Sequence, residues 1–206
     1  MRTSAPPTRH ADHQQEFVRE IAEILPDQGE WSEEEYLWLT NRTNRLVEFS
    51  DGYIEVLPMP TEKHQAMLKY LFLAFYSFVE RLGGKVFFAA LRLRLKTGKF
   101  REPDLLLLRS ADDPRRHNEY WEGADLVLEV VSPDDPNRDL VKKRKEYAQA
   151  GIPEYWIVNP RDETIRVLRL EGTKYAEHGA FKRGDVATSA ILLDFQVSVD
   201  EVFDAE

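Results

Sequence analysis

Two apolar runs of strand length, residues 105–108 and 126–131, constrain this chain more than any other feature, because each has a carboxylate set into it. Asp104 stands immediately before the first run and Glu129 inside the second. Runs this uniformly apolar read as strands covered on both faces, hence the centre of a sheet with other elements packed on each side. A carboxylate buried there is costly unless it is paired or holds a cation. A salt bridge to an arginine, or a capped strand end, would satisfy either residue alone. If the runs are neighbouring strands, both carboxylates reach one spot, and their hard oxygens suit magnesium or manganese.

With 206 residues and 42% hydrophobic residues, the chain can bury one sizeable core, so one domain over residues 29–206 is expected. Residues 1–28 read as a flexible tail to about residue 12, broken by Pro6 and Pro7. A short amphipathic helix through Phe17, Ile21, Ile24 and Leu25 follows and stops at Pro26. The absence of cysteine excludes disulfides and thiolate metal sites, leaving oxygen or imidazole ligands for any metal. No apolar run is long enough to span a bilayer, so a cytoplasmic protein without membrane contact is the expectation. A formal net charge of -9 counts against a broad basic surface. Two basic stretches, residues 92–101 and 138–145, nevertheless flank the acidic residues, and local field rather than net charge guides a ligand.

Several elements are readable from pattern. Ser32 and Glu35 form a capping box for a short helix through Tyr36 and Leu39. RLVEF and YIEVL, joined through Asp51-Gly52, form a hairpin with Glu48 in its first strand. From Thr61 a helix presents Met67, Leu68, Leu71, Phe72, Phe75, Phe78, Val79 and Leu82 as one broad stripe, ending at Gly83-Gly84. Residues 90–96 alternate as a half-exposed strand. After Glu129 a helix over about 139–150 stops at Gly151, and EYWIV makes another buried strand; IRVLRL, YAEHG and ILLDF read as a closing meander. The class is α/β: a mixed central sheet flanked by helices, with an N-terminal hairpin and C-terminal meander strands.

Taken together, EPDLLLL, LVLEVVSP and the stretch from Asp139 to Tyr147 running into AGIPEYWIVNP resemble the Uma family of endonucleases. That family belongs with the PD-(D/E)XK restriction-endonuclease-like superfamily. The upstream VEFSDGYIEVLPMPTEKH fits the same pattern, and the likeness extends from about Trp31 to Phe203. The resemblance implies that Asp104 is the PD aspartate, Glu129 the second acidic ligand and Glu48 the upstream acid, together holding Mg²⁺ or Mn²⁺. Where the superfamily usually places lysine two residues after the second acid, this chain has Val131. In the Uma group the lysine sits on the following helix, where the spacing falls on Asp139, Lys143 and Tyr147, which makes Lys143 the catalytic lysine. Residues four apart share one helical face. Tyr147 is expected to take a minor role on the substrate-binding side of the site while hydrogen-bonding locally, and His64, entering the core helix, to contact phosphate or a metal-bound water.

The implied activity is metal-assisted hydrolysis of nucleic-acid phosphodiester bonds, with DNA as the expected substrate. Cutting both strands of a duplex needs two sites, which a homodimer would supply. Two rivals stand beside it. One is a degenerate nuclease scaffold that binds DNA or a protein without cutting, consistent with the acidic charge and with Val131. The other is a metal-free hydrolase using two carboxylates as acid and base, for example on a glycosidic bond. Asp51, Asp134 and Asp135 are explained by turn chemistry. Trp121, Tyr155 and Trp156 could stack on bases, although the last two fall in a buried strand.

Overall fold

The computed structural model describes residues 25–206, so the expected tail and the helix beginning near Phe17 lie outside it. Helix α1 (Glu33–Thr40) starts on the expected capping box: Ser32 Oγ accepts from Glu35 N, and the Glu35 carboxylate accepts from Ser32 N at 2.8 Å. Strands β1 (Val47–Ser50) and β2 (Tyr53–Val56) form the expected hairpin. Its turn holds Asp51 at φ 49° and Gly52 at φ 91°, the paired left-handed conformations that match strand twist. A Cβ at Gly52 would sit 2.4 Å from the Gly29 carbonyl oxygen, so only glycine fits that close approach.

Thr61 caps α2 (Glu62–Val79), whose Met67, Leu68, Leu71, Phe75 and Val79 are buried. A short 3₁₀ turn (Glu80–Leu82) ends it at Gly83, which takes φ 80°. The chain then runs through β3 (Lys85–Phe88), β4 (Arg92–Lys96), β5 (Lys99–Arg101), β6 (Leu105–Leu108), β7 (Tyr120–Trp121) and β8 (Leu126–Val130). A wide turn (Arg138–Lys143) leads into α3 (Arg144–Gln149), followed by β9 (Glu154–Asn159), β10 (Thr164–Glu171), β11 (Lys174–Lys182), β12 (Val186–Thr188), β13 (Gln196–Ser198) and α4 (Val199–Phe203). Among the described residues no helix is long and apolar enough to cross a membrane.

The central sheet has six strands in the order β11-β10-β9-β8-β6-β3. All neighbours are antiparallel except β8 and β9, which the wide turn and α3 connect in parallel. The two apolar runs are therefore adjacent central strands, as their composition predicts. A second sheet, β2-β1-β5-β4-β7, carries the hairpin at one edge. Side chains alternate across β6 and β8: Leu105, Leu107, Leu126, Leu128 and Val130 join Leu71 and Phe75 of α2 in one core. Leu106, Leu108, Val127 and Val131 join Tyr147 and Ile152 in the other. Glu129 lies between Val127 and Val131 on β8, so the same alternation turns its carboxylate toward α3.

Two expectations change. The helix predicted over about 139–150 is not uniformly α: residues Arg138–Lys143 form a π-helical turn before α3 begins. Such a widened turn is a recurrent device at functional sites. ILLDF is not a strand. Glu154 accepts the backbone N–H groups of Ala190 and Ile191 at 2.6 and 2.9 Å, and Ser189 Oγ accepts that of Leu192 at 2.9 Å. Asp194 takes φ 64°, so these backbone groups are satisfied by turns while Leu192 and Phe195 still reach the core.

Candidate active site

The site forms where β1, β6 and β8 meet the turn before α3. Register pairs Leu105 with Leu128, and continuing it by one residue sets Asp104 opposite Glu129. Asp104 Oδ2 accepts from Val130 N at 2.8 Å and lies 3.1 Å from His64 Nε2, which the N-terminal turn of α2 delivers. Glu129 Oε1 accepts from Lys143 Nζ at 2.9 Å and from the Tyr147 hydroxyl at 2.6 Å. The Lys143 ammonium also lies 3.2 Å from Glu48 Oε1 and 3.4 Å from Asp139 Oδ1. One cation thus stands among three carboxylates brought from β1, β8 and its own turn, all with side chains at most 5% exposed.

The electrostatics follow from that burial. Desolvation alone would lower the Lys143 pKa, but Glu129, Glu48 and Asp139 outweigh it and hold the ammonium charged. Burial pushes the Glu129 carboxyl up; Lys143 opposes this, while the charges of Asp139 and Asp104 add to it. Burial, with the nearby Glu129 charge, pushes the Tyr147 hydroxyl up as well, so it remains a proton donor to Glu129. For His64, burial works downward, but the hydrogen bond and charge of Asp104 win and raise it.

All six residues expected at the site, Glu48, His64, Asp104, Glu129, Lys143 and Tyr147, fall within this one constellation or touch a member of it. Tyr147 is wholly buried, so its contact is to Glu129 rather than to solvent. Sequence reasoning missed a supporting layer. Arg101, 1% exposed, donates from Nε and from a terminal nitrogen to the two oxygens of Glu146, each at 2.8 Å. Its Nε also stands 3.6 Å from Glu48 Oε2, and another terminal nitrogen donates to the Phe49 and Phe100 carbonyls. Lys99 joins at 3.1 Å from Glu146. Glu102 accepts from Val47 N at 3.1 Å; burial and the Glu48 charge push its carboxyl up to about 8. The signal for Arg101 and Glu102 is their place as a charged pair immediately before Pro103-Asp104; nothing local marks Lys99 or Glu146 as their partners.

The donor set fits a hard divalent cation. Asp104 and Glu129 come from adjacent strands, and Asp104 Oδ1 and Glu129 Oε2 receive no hydrogen bond from the described residues. Among those residues no three carboxylates or imidazoles gather into a complete metal cage. Magnesium is commonly held by one or two carboxylates, with water and substrate phosphate filling the remaining positions.

Comparison with known proteins gives the family and the fold. A family model described as "Uma2: Putative restriction endonuclease" matches residues 33–200, the stretch that carries every site residue. A crystal structure from Anabaena variabilis ATCC 29413, described as "a putative nuclease belonging to DUF820", superposes with a TM-score of 0.68 at 23% identity. The match covers 84% of this chain and 97% of that one, and establishes a shared fold. No curated protein matches. With most of its length matched, and with the central sheet and acidic cluster in place, the chain belongs to the Uma2 family of restriction-endonuclease-like proteins.

Proposed function

We propose that this protein is a divalent-metal-dependent endonuclease that hydrolyses phosphodiester bonds in DNA at the Asp104–Glu129–Lys143 cluster. The observation that carries the reading is the ammonium of Lys143 fixed 2.9 Å from Glu129, with Asp104 on the adjacent strand. Asp104 and Glu129 would hold Mg²⁺ or Mn²⁺, with Glu48 beside them directly or through water; bound there, the ion would polarise the scissile phosphate and lower the pKa of water.

The chain's own residues supply the rest. Lys143 orients the attacking water and stabilises the negative charge that builds on the phosphorus oxygens in the transition state. Glu48 and Asp139 hold the lysine charged and in place, and the Tyr147 hydroxyl fixes the rotamer of Glu129. His64 steadies Asp104 through Nε2 and stands next to the position a phosphate would take there. These contacts address phosphate rather than base edges, so the cluster itself imposes no sequence preference.

The second reading, a nuclease scaffold that binds nucleic acid or protein without cutting, draws on the formal net charge of -9. Incubation with supercoiled plasmid and labelled single strands in Mg²⁺ or Mn²⁺ separates the two. The nuclease reading expects cutting that a chelator stops. No cutting together with no Asp104-dependent binding of Mn²⁺ would favour the silent scaffold.

A further inference from the structure

A broad concavity lies along the edge of the central sheet at β3, one strand away from Asp104. Among the described residues strand β3 pairs only with β6, setting Phe88 opposite Leu105, and the next residue, Ala89, donates its N–H to the Asp104 carbonyl at 3.1 Å. One strand away from Asp104, the chain therefore presents two large aromatic side chains to solvent: Phe87 is 40% and Phe88 51% exposed. Neither ring is loose. Phe87 packs edge-on against the buried Trp121 at 5.4 Å, and Phe88 edge-on against Phe72 at 4.9 Å. The two rings leave β3 on opposite faces, and between them they give this sheet edge an exposed apolar patch of the kind that marks a binding surface.

Together with the loop carrying Asp112, Arg116 and Asn118, these rings line a cavity of about 740 Å³, within the usual size range of ligand sites. Its chemistry is selective. The walls are aromatic, while the rim carries donors on Arg116 and Asn118 and acceptors on Asp112 and Asn118. Asp112 and Asp113 outnumber Arg116 on the rim, so there is no cationic excess to attract a phosphate. A flat, uncharged heteroaromatic ring with mixed donor and acceptor edges meets all of these conditions.

We propose that this cleft receives an unpaired nucleobase of the strand whose backbone lies at Asp104, making single-stranded or locally unstacked nucleic acid the preferred substrate. The inference rests on the nuclease reading above. Base stacking on aromatic side chains is sequence-tolerant, so such a cleft would position the strand without specifying its sequence. It also compensates for the acidic surface, because stacking does not depend on net positive charge.

The test uses a short single-stranded oligodeoxynucleotide carrying one 2-aminopurine, titrated with the full chain in the presence of a chelator so that nothing is cut. Wild type is expected to quench the 2-aminopurine, and to bind the single strand more tightly than the same sequence in duplex. Phe87→Ala and Phe88→Ala should each weaken binding about tenfold and restore emission. Asp112→Ala, on an exposed loop, gives a variant that leaves the apolar walls intact and should shift affinity between different bases. Unaltered binding and quenching in both phenylalanine variants would overturn the cleft. Cleavage of plasmid without any quenching would overturn the cleft while leaving the nuclease reading standing; neither binding nor cleavage would overturn both.

Discussion

The Lys143 ammonium lies 2.9 Å from Glu129 Oε1, although one residue comes from a helical turn and the other from a central strand. Because the same ammonium also faces Glu48 and Asp139, it does two things: it presents a cation to the site and offsets three buried carboxylates. Lys143→Met should therefore reduce cleavage at least hundredfold and also destabilise the fold, by about 3–5 kcal/mol, since breaking a buried charge cluster leaves its partners uncompensated. Denaturant unfolding measured beside the cleavage rate separates the two effects. An added Asp139→Asn change should recover stability without recovering cleavage.

Val131 stands where a lysine two residues after the second acid would sit, on the same face of the sheet as Glu129. Val131→Lys alone should lower stability by about 3 kcal/mol or more, because it buries a second ammonium beside Lys143. Combined with Lys143→Met, the same change supplies the missing cation from the strand and should recover part of the lost cleavage. A double variant no more active than Lys143→Met would show that the position of the lysine on the helical turn matters beyond its charge.

Arg101 touches Glu48 and Glu146 but no carboxylate on the opposite side of the cluster, which makes it a positioning residue. Arg101→Lys keeps the charge and loses the two-nitrogen grip on Glu146. The expected result is a kcat about tenfold lower with KM nearly unchanged, read by steady-state cleavage of a labelled strand. A raised KM at constant kcat would instead place Arg101 in substrate binding.

Burial would raise the Glu146 carboxyl, but hydrogen bonds and charges from Arg101 and Lys99 hold it below its ordinary value. A carboxylate lowered in the folded state contributes stability above its unfolded pKa, and that contribution is lost as pH falls through the folded value. Glu146→Gln should thus cost about 2 kcal/mol at neutral pH. Its deficit relative to wild type should shrink as the pH is taken below about 4. Thermal denaturation across that range measures it; a deficit independent of pH would mean that packing, not charge, explains the loss.

The parts of this molecule that sequence revealed are those written in local pattern. The capping box at Ser32, the Asp51-Gly52 turn, the stripe of α2 and the uniformly apolar strands around Asp104 and Glu129 each follow from neighbouring residues alone. Lys143 was reachable only through motif spacing, because nothing in a run of four basic residues distinguishes the one that turns inward. The widened turn at Arg138–Lys143 was not legible, since α and π turns share the same residue preferences. Nor was the Arg101–Glu146 pair, whose members lie far apart in sequence and meet only once β5 and α3 pack. ILLDF was misread because its apolar composition reflects core contact, while Glu154 and Ser189, not a partner strand, satisfy its backbone.

The most direct measurement of the central claim is the rate of plasmid cleavage in Mg²⁺ by wild type and by Asp104→Asn, a change of one atom type that leaves the strand register and the contact with Val130 N largely intact. The account predicts metal-dependent cutting by wild type and a loss of at least hundredfold in the variant at an unchanged melting temperature. Cleavage by Asp104→Asn at the wild-type rate would contradict it, and would place the chemistry away from this cluster.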